Sequence, residues 1–279
     1  MKARGYLLAA ILLTAGCLEY YPLETAKKWL EPIDEEPWKE ILSDLSPNST
    51  AAVLPSETEM DGQIWITGEG RIVFGGPTVG MVVGDLYEGY RTGKVFSAIS
   101  RGYLSFDITS IPADARVEKA VLYLFQHWVV HGNPLEIGNV YIKHHHYPEN
   151  IFKAPMEREF TNADTEVWGN LPSSQQEMTE WKMVSNSTWE GWKAVDVTEW
   201  VREDLRTGEN HSQFMLALYS CAIEGGEFVC RQTDRDSEGD AFLYSTGEGL
   251  PGGLRYIPHL VVIYKLPDRE SEPDEGTAG

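Results

Sequence analysis

The chain has 279 residues, with 43 acidic side chains against 23 basic ones and a formal charge of −20. Such an acidic excess excludes a nucleic-acid binder, and equally a protein held to an anionic lipid face by charge, since both need a basic surface. The length permits one large domain with tails.

Residues 1–16 read as a signal peptide. Lys2 and Arg4 precede a short apolar run from Tyr6 to Ala15. About ten apolar residues are too few to cross a hydrocarbon layer, which takes roughly 20 in a helix. The run closes on Ala15-Gly16-Cys17, and small residues ahead of a cysteine are what a lipoprotein signal peptidase accepts. Cys17 is therefore the expected lipidation site, and the expected location is the extracellular face of the cell membrane. An ordinary export signal with an incidental cysteine is the competing reading. Loss of Lys2 and Arg4 with the signal would take the formal charge from −20 to −22.

The remaining cysteines are Cys221 and Cys230. An even pair in an exported chain reads as a disulfide, and Gly225-Gly226 between them suits a hairpin turn. Asn48, Asn186 and Asn210 each open an Asn-x-Ser/Thr triplet, in keeping with export.

Residues 17–58 read as an acidic, extended N-terminal stalk punctuated by Pro22, Pro32, Pro37, Pro47 and Pro55. Brief amphipathic helices fit 23–30 and 38–45. The alternative is a helical cap on the domain, because Trp29 and Trp38 are costly to leave in water.

From 59 to 266 the texture is that of one β domain. Strands are expected over 63–67, 71–74, 79–83, 95–106, 116–130, 140–147, 192–197, 213–221, 227–232, 241–245 and 259–265, with Gly, Pro, Asn and Asp clusters between them. Ala120 to Phe125 and Phe214 to Tyr219 are apolar on both faces, as in central strands covered on each side. One helix is expected over 197–207, with Thr198 capping it and Gly208 stopping it. Residues 148–190 read as a long irregular connection, and 267–279 as a disordered acidic tail. The fold class is all-β: a jelly-roll-like antiparallel sandwich with a short helix.

Three stretches carry a resemblance. They are RGYLSFDITSIPADARVEKAVLYL from Arg101 to Leu124, WKAVDVTEWV from Trp192 to Val201 with Gly208 behind it, and PHLVVIY from Pro258 to Tyr264. Together and in this order they resemble the DNRLRE-type domains of exported bacterial and archaeal surface proteins, over roughly residues 60–266. The resemblance implies a jelly-roll-like sandwich, usually non-catalytic; some relatives are classed as carbohydrate-binding modules, and others sit in cell-surface disaggregatases of archaea. Asp61 to Gly84 match the pattern only loosely, and 148–190 is a long insertion. Read physically, the Arg101–Leu124 string is a strand, a corner shaped by Asp107, Thr109 and Pro112, and a long strand, so it speaks for fold rather than activity.

Candidate chemistry falls in three places. Asp234, Asp236, Glu238 and Asp240 alternate around Gly239 and can wrap a calcium ion, although position twelve of an EF-hand loop would be Ser245; a solvated acidic turn is the simpler reading. His144 and His146 share one side of a strand and His145 the other, with His127 and His131 near a neighbouring strand end. Two imidazoles at i and i+2 can share a transition metal, but no acidic or cysteine ligand stands at convincing spacing, which favours plain strand histidines. Tyr123, Phe125 and His127 share a face of the central strand and would line a groove if uncovered, with Trp189 and Trp192 beside polar loops. Aromatic rings stack on the C–H faces of sugars; the competing reading is that loop tryptophans, Trp168 and Trp181 among them, pin the long connection.

No G-x-S-x-G, H-E-x-x-H or phosphate-cradling glycine loop occurs. The leading expectation is a lipid-anchored, non-catalytic module binding polysaccharide or surface glycan, without a cofactor unless calcium. A structural or adhesive envelope protein working through protein contacts is the alternative, and a polysaccharide-degrading enzyme with a carboxylate pair the third.

Overall fold

The computed structural model describes residues 36–75, 80–88, 96–130, 132–153, 156–233, 240–246 and 256–267. Cys17, the 23–30 segment and the 268–279 tail lie outside them.

Two long strands organise the sandwich. In β6 (Arg116–Val130), Arg116 to Tyr123 pair with β14 (His259–Lys265), while Gln126 to Val130 pair with β13 (Asp240–Tyr244). Its other edge, from Val121 to Gln126, pairs with β10 (Gly191–Asp196). In β5 (Phe96–Asp107), the first half pairs with β4 (Met81–Glu88) and the second with β11 (His211–Glu224), while β2 (Gly62–Thr67) takes the opposite edge. Strands that change partners along their length turn the corners of a two-layered sheet. All these pairings are antiparallel, and the fold is an all-β sandwich with few helices.

The space between the layers is filled by every second residue. Leu122 and Leu124 from β6, Leu104 and Phe106 from β5, Phe214, Leu216 and Leu218 from β11, and Leu260 and Val262 from β14 are all fully buried there. The alternate residues face outward and are apolar too, because each outer face has its own cover. Trp38 lies over Val121, Tyr123 and Val261. On the other layer, Tyr147, Phe152, Trp168 and Trp181 lie against Tyr103, Met215, Ala217 and Tyr219.

The first cover revises the stalk. Residues 38–43 form a docked cap, with Trp38 leading helix α1 (Lys39–Ser43), and β1 (Thr50–Pro55) adds a strand to β14 in six registered pairs. The ordered domain therefore begins well before position 59. Burying Trp38 offsets the cost of fixing this segment, and Pro55 is tolerated because it ends an edge strand.

The second cover revises the 148–190 connection. It holds β8 (Met156–Glu159), the short helices α3 (Asp164–Trp168) and α4 (Gln175–Met178), and β9 (Trp181–Ser185). β8 extends a layer through β3 (Arg71–Gly75), and β9 does so through β7 (Asn139–His144). One more short helix, α2 (Pro134–Ile137), precedes β7.

Arg101 ties this cover down. It is buried, and its guanidinium donates to the carbonyls of Trp168 (2.8 Å) and Gly169 (2.7 Å) and to Gln232 Oε1 (2.7 Å). It also lies 4.1 Å from the centroid of the Trp168 ring. Loss of water pushes its pKa down to about 10, so it stays charged at neutral pH, held by carbonyl dipoles and a ring face.

Helix α5 (Thr198–Thr207) crosses one end of the sandwich and stops at Gly208, whose φ of +79° suits glycine. Its start differs from expectation. The Thr198 hydroxyl accepts from the Ala120 amide (2.9 Å), fastening helix to strand, and Asp196 Oδ1 accepts the Thr198 amide (2.9 Å) in its place.

Cys221 and Cys230 face each other across β11 and β12 (Glu227–Arg231) and form the expected disulfide. The hairpin turns through Gly225 and Gly226, at φ +59° and +92°, values that most side chains resist. The three sequon asparagines are exposed. Among the described residues no helix is long and apolar enough to cross a membrane.

Candidate functional site

The aromatic row expected to line a groove is closed. Tyr123, Phe125 and His127 are all buried, His127 to 1% exposure. Trp38 covers Tyr123 with ring centroids 5.9 Å apart, and meets Trp192 edge-on at 5.7 Å. Tyr256 covers the other end, 4.2 Å from Phe125 and 5.1 Å from His127. Both covering rings come from distant parts of the chain, so the strand's own pattern gives no sign of them. Burial drives the His127 pKa down to about 4, leaving a neutral imidazole within this cluster.

Trp189 is different. It is 65% exposed, while Trp168 and Trp181 are buried between the insertion and the sheet, in the pinning role expected of loop tryptophans. Yet the backbone of Trp189 is tightly held. Its carbonyl accepts from Gln126 Nε2 (3.0 Å) and from Lys193 Nζ (3.0 Å), and Gln126 also donates to Ser187 O (2.9 Å). The Lys193 ammonium lies 4.7 Å from the centroid of the Trp189 ring. Gly191, at φ +141°, lets the ring approach so closely that a Cβ there would stand 2.6 Å from its edge. Gln126 is itself anchored by the buried Tyr244 hydroxyl at 3.1 Å.

The acidic stretch is described only at its end. Asp234, Asp236 and Glu238 lie outside the described residues. Asp240 is buried at the start of β13, opposite the buried Asp85 of β4, so it belongs to the strand rather than to a solvated turn.

The histidines divide as the strand period dictates. His145 turns to the outer face beneath the insertion, its Nε2 2.9 Å from Val167 O. His144 and His146 turn together toward α5, where Asp204 is fully buried. Asp204 Oδ1 lies 2.8 Å from His144 Nε2 and 3.3 Å from His146 Nε2, and Oδ2 accepts from the Ser212 hydroxyl at 2.5 Å. Trp200 stacks on His144, with a 12° interplanar angle. Asp204 is the acidic partner that strand spacing does not supply: it lies 60 residues from His144 and comes from helix α5. His131 lies outside the described residues, and His127 sits in the closed aromatic row.

No known family model matches the chain, and no curated protein matches it. The likeness to DNRLRE-type domains therefore stands on the quoted stretches alone.

Proposed function

We propose that this chain is a non-catalytic binding module, tethered to the outer face of the membrane through Cys17, that engages polysaccharide or surface glycan at Trp189. The observation that carries the reading is an exposed indole on an immobilised backbone. Exposing Trp is costly, and here the ring is posed by Gln126, Gly191 and Lys193 rather than folded back over apolar neighbours. A ring that loses little freedom on contact stacks on a sugar face with little entropic penalty. Lys193 is buried and its ammonium is taken up by the Trp189 carbonyl and the Ser187 hydroxyl, so it poses the ring and leaves stacking as the contact with a sugar.

This site differs from the groove expected along Tyr123, Phe125 and His127, which the chain's own aromatic residues occupy. Affinity electrophoresis through gels loaded with neutral and acidic polysaccharides provides the test. Retardation that disappears in Trp189→Ala supports the reading, and unretarded migration on every polysaccharide defeats it.

The adhesive alternative has one observation in its favour. Ile223 is 62% exposed on the disulfide-closed hairpin, where an apolar side chain suits a protein partner. Concentration-dependent self-association without glycan affinity would favour it.

A further inference from the structure

We infer that His144, His146 and Asp204 form a binding site for a borderline divalent transition metal ion, zinc by its ligand set. The ligand atoms of the three residues lie within 4.8 Å of one another. A zinc ion with bonds near 2.0–2.1 Å needs tetrahedron edges of about 3.4 Å. The two nitrogen-to-oxygen edges, 2.8 and 3.3 Å, are shorter than that, and all three ligand atoms lie within 4.8 Å of one another, so small side-chain shifts reach the tetrahedral spacing. The adjustment falls to His146, whose side chain is 46% exposed and so has room to shift.

The surroundings resemble the outer shell of a metal site. Ser212 holds Oδ2 of the carboxylate, which leaves Oδ1 as a single ligand atom facing both imidazoles. Trp200 lies parallel to His144 with ring centroids 6.0 Å apart, and the Gln213 side chain hydrogen-bonds His146. Backbone position is set by a strand end and a helix, the elements least prone to drift. A helix-to-strand fastener made only of hydrogen bonds needs one histidine. Here two imidazoles converge on one fully buried oxygen, an arrangement in which a cation can replace the shared proton.

The nitrogen ligands exclude calcium, a hard ion that takes oxygen. Glu203 and Glu209 act on the histidines electrostatically and raise the local attraction for a cation. With three protein ligands and His146 at the surface, water completes the tetrahedron. The bound ion fastens α5 to the end of β7, and this inference is independent of the glycan reading.

The experiment is calorimetric titration of the chelator-treated protein with zinc chloride, paired with the visible spectrum of the cobalt(II) form. One zinc per chain is expected, with micromolar or tighter affinity and the absorption bands of tetrahedral cobalt. His146→Ala removes an exposed ligand without opening the core, and should weaken zinc binding by at least about tenfold and abolish those bands. His211→Ala, which alters a histidine paired with Glu57 outside the cluster, should leave both unchanged. Absence of zinc uptake in the micromolar range overturns the inference, and so does affinity that survives His146→Ala.

Discussion

Replacing Trp38 with alanine tests whether the N-terminal cap is part of the folded domain. Trp38 is 7% exposed and packs against Tyr123, Trp192 and His259, the last with ring centroids 4.2 Å apart. A buried tryptophan removes roughly 150–250 Å² from water, worth ~4–6 kcal/mol at 25 cal/mol per Å². A realistically compact unfolded chain lowers that by about 10–40%, to ~2–5 kcal/mol, which overlaps the usual ~3–5 kcal/mol for Trp→Ala in a core. The edge-on aromatic contacts favour the upper half of the range. Urea denaturation followed by Tyr and Trp fluorescence would measure the loss, and the midpoint should fall with little change in slope. A loss below ~1 kcal/mol would mean that the segment is not docked in solution, and the stalk would then extend to the start of β1.

Two further outcomes follow from His127 and from the disulfide. His127 stays neutral in the fold down to about pH 4 but takes up a proton in the unfolded chain near its ordinary value of about 6.5, so stability is full above that window. It should drain away as the pH falls from about 6.5 to about 4, by up to ~3 kcal/mol, and His127→Phe should flatten that part of a stability-against-pH curve; an unchanged slope would show that the imidazole is not sealed by Tyr256. Cys221→Ser with Cys230→Ser opens a loop whose ends are nine residues apart, and the chain-entropy relation predicts a loss of ~2.5 kcal/mol in thermal or urea unfolding.

Much of the sandwich is legible along the chain because its signal is local. In β6, Ala120, Leu122 and Leu124 alternate with Val121, Tyr123 and Phe125, and that doubly apolar run announces a strand covered on both faces. The αL glycine at 208 and the Gly225-Gly226 turn announce themselves in the same way. What escapes is what depends on distant partners. β1 is short, ends in proline and gains its identity only from β14. β9 reads as Trp-Lys-Met-Val-Ser, a mixed edge strand without clean alternation. Whether Tyr123 and Phe125 face water was decided by Trp38 and Tyr256, neither of which lies near them in sequence. Nothing in the local pattern sets Asp204 apart from the other carboxylates of α5, and only the packing of α5 against β7 and β11 brings it to the histidines.

The pairing of β1 with β14 also bears on how the module would carry mechanical load. A chain held from its N-terminal side passes a pull through the Trp38 cap into β1, and from there through six registered residue pairs into the strand that closes the sandwich. Traction along the strand axis strains all of those backbone hydrogen bonds together, whereas traction across it would break them singly. The terminal ribbon would thus serve as the grip between a chain held at its N-terminal side and the body of the sandwich.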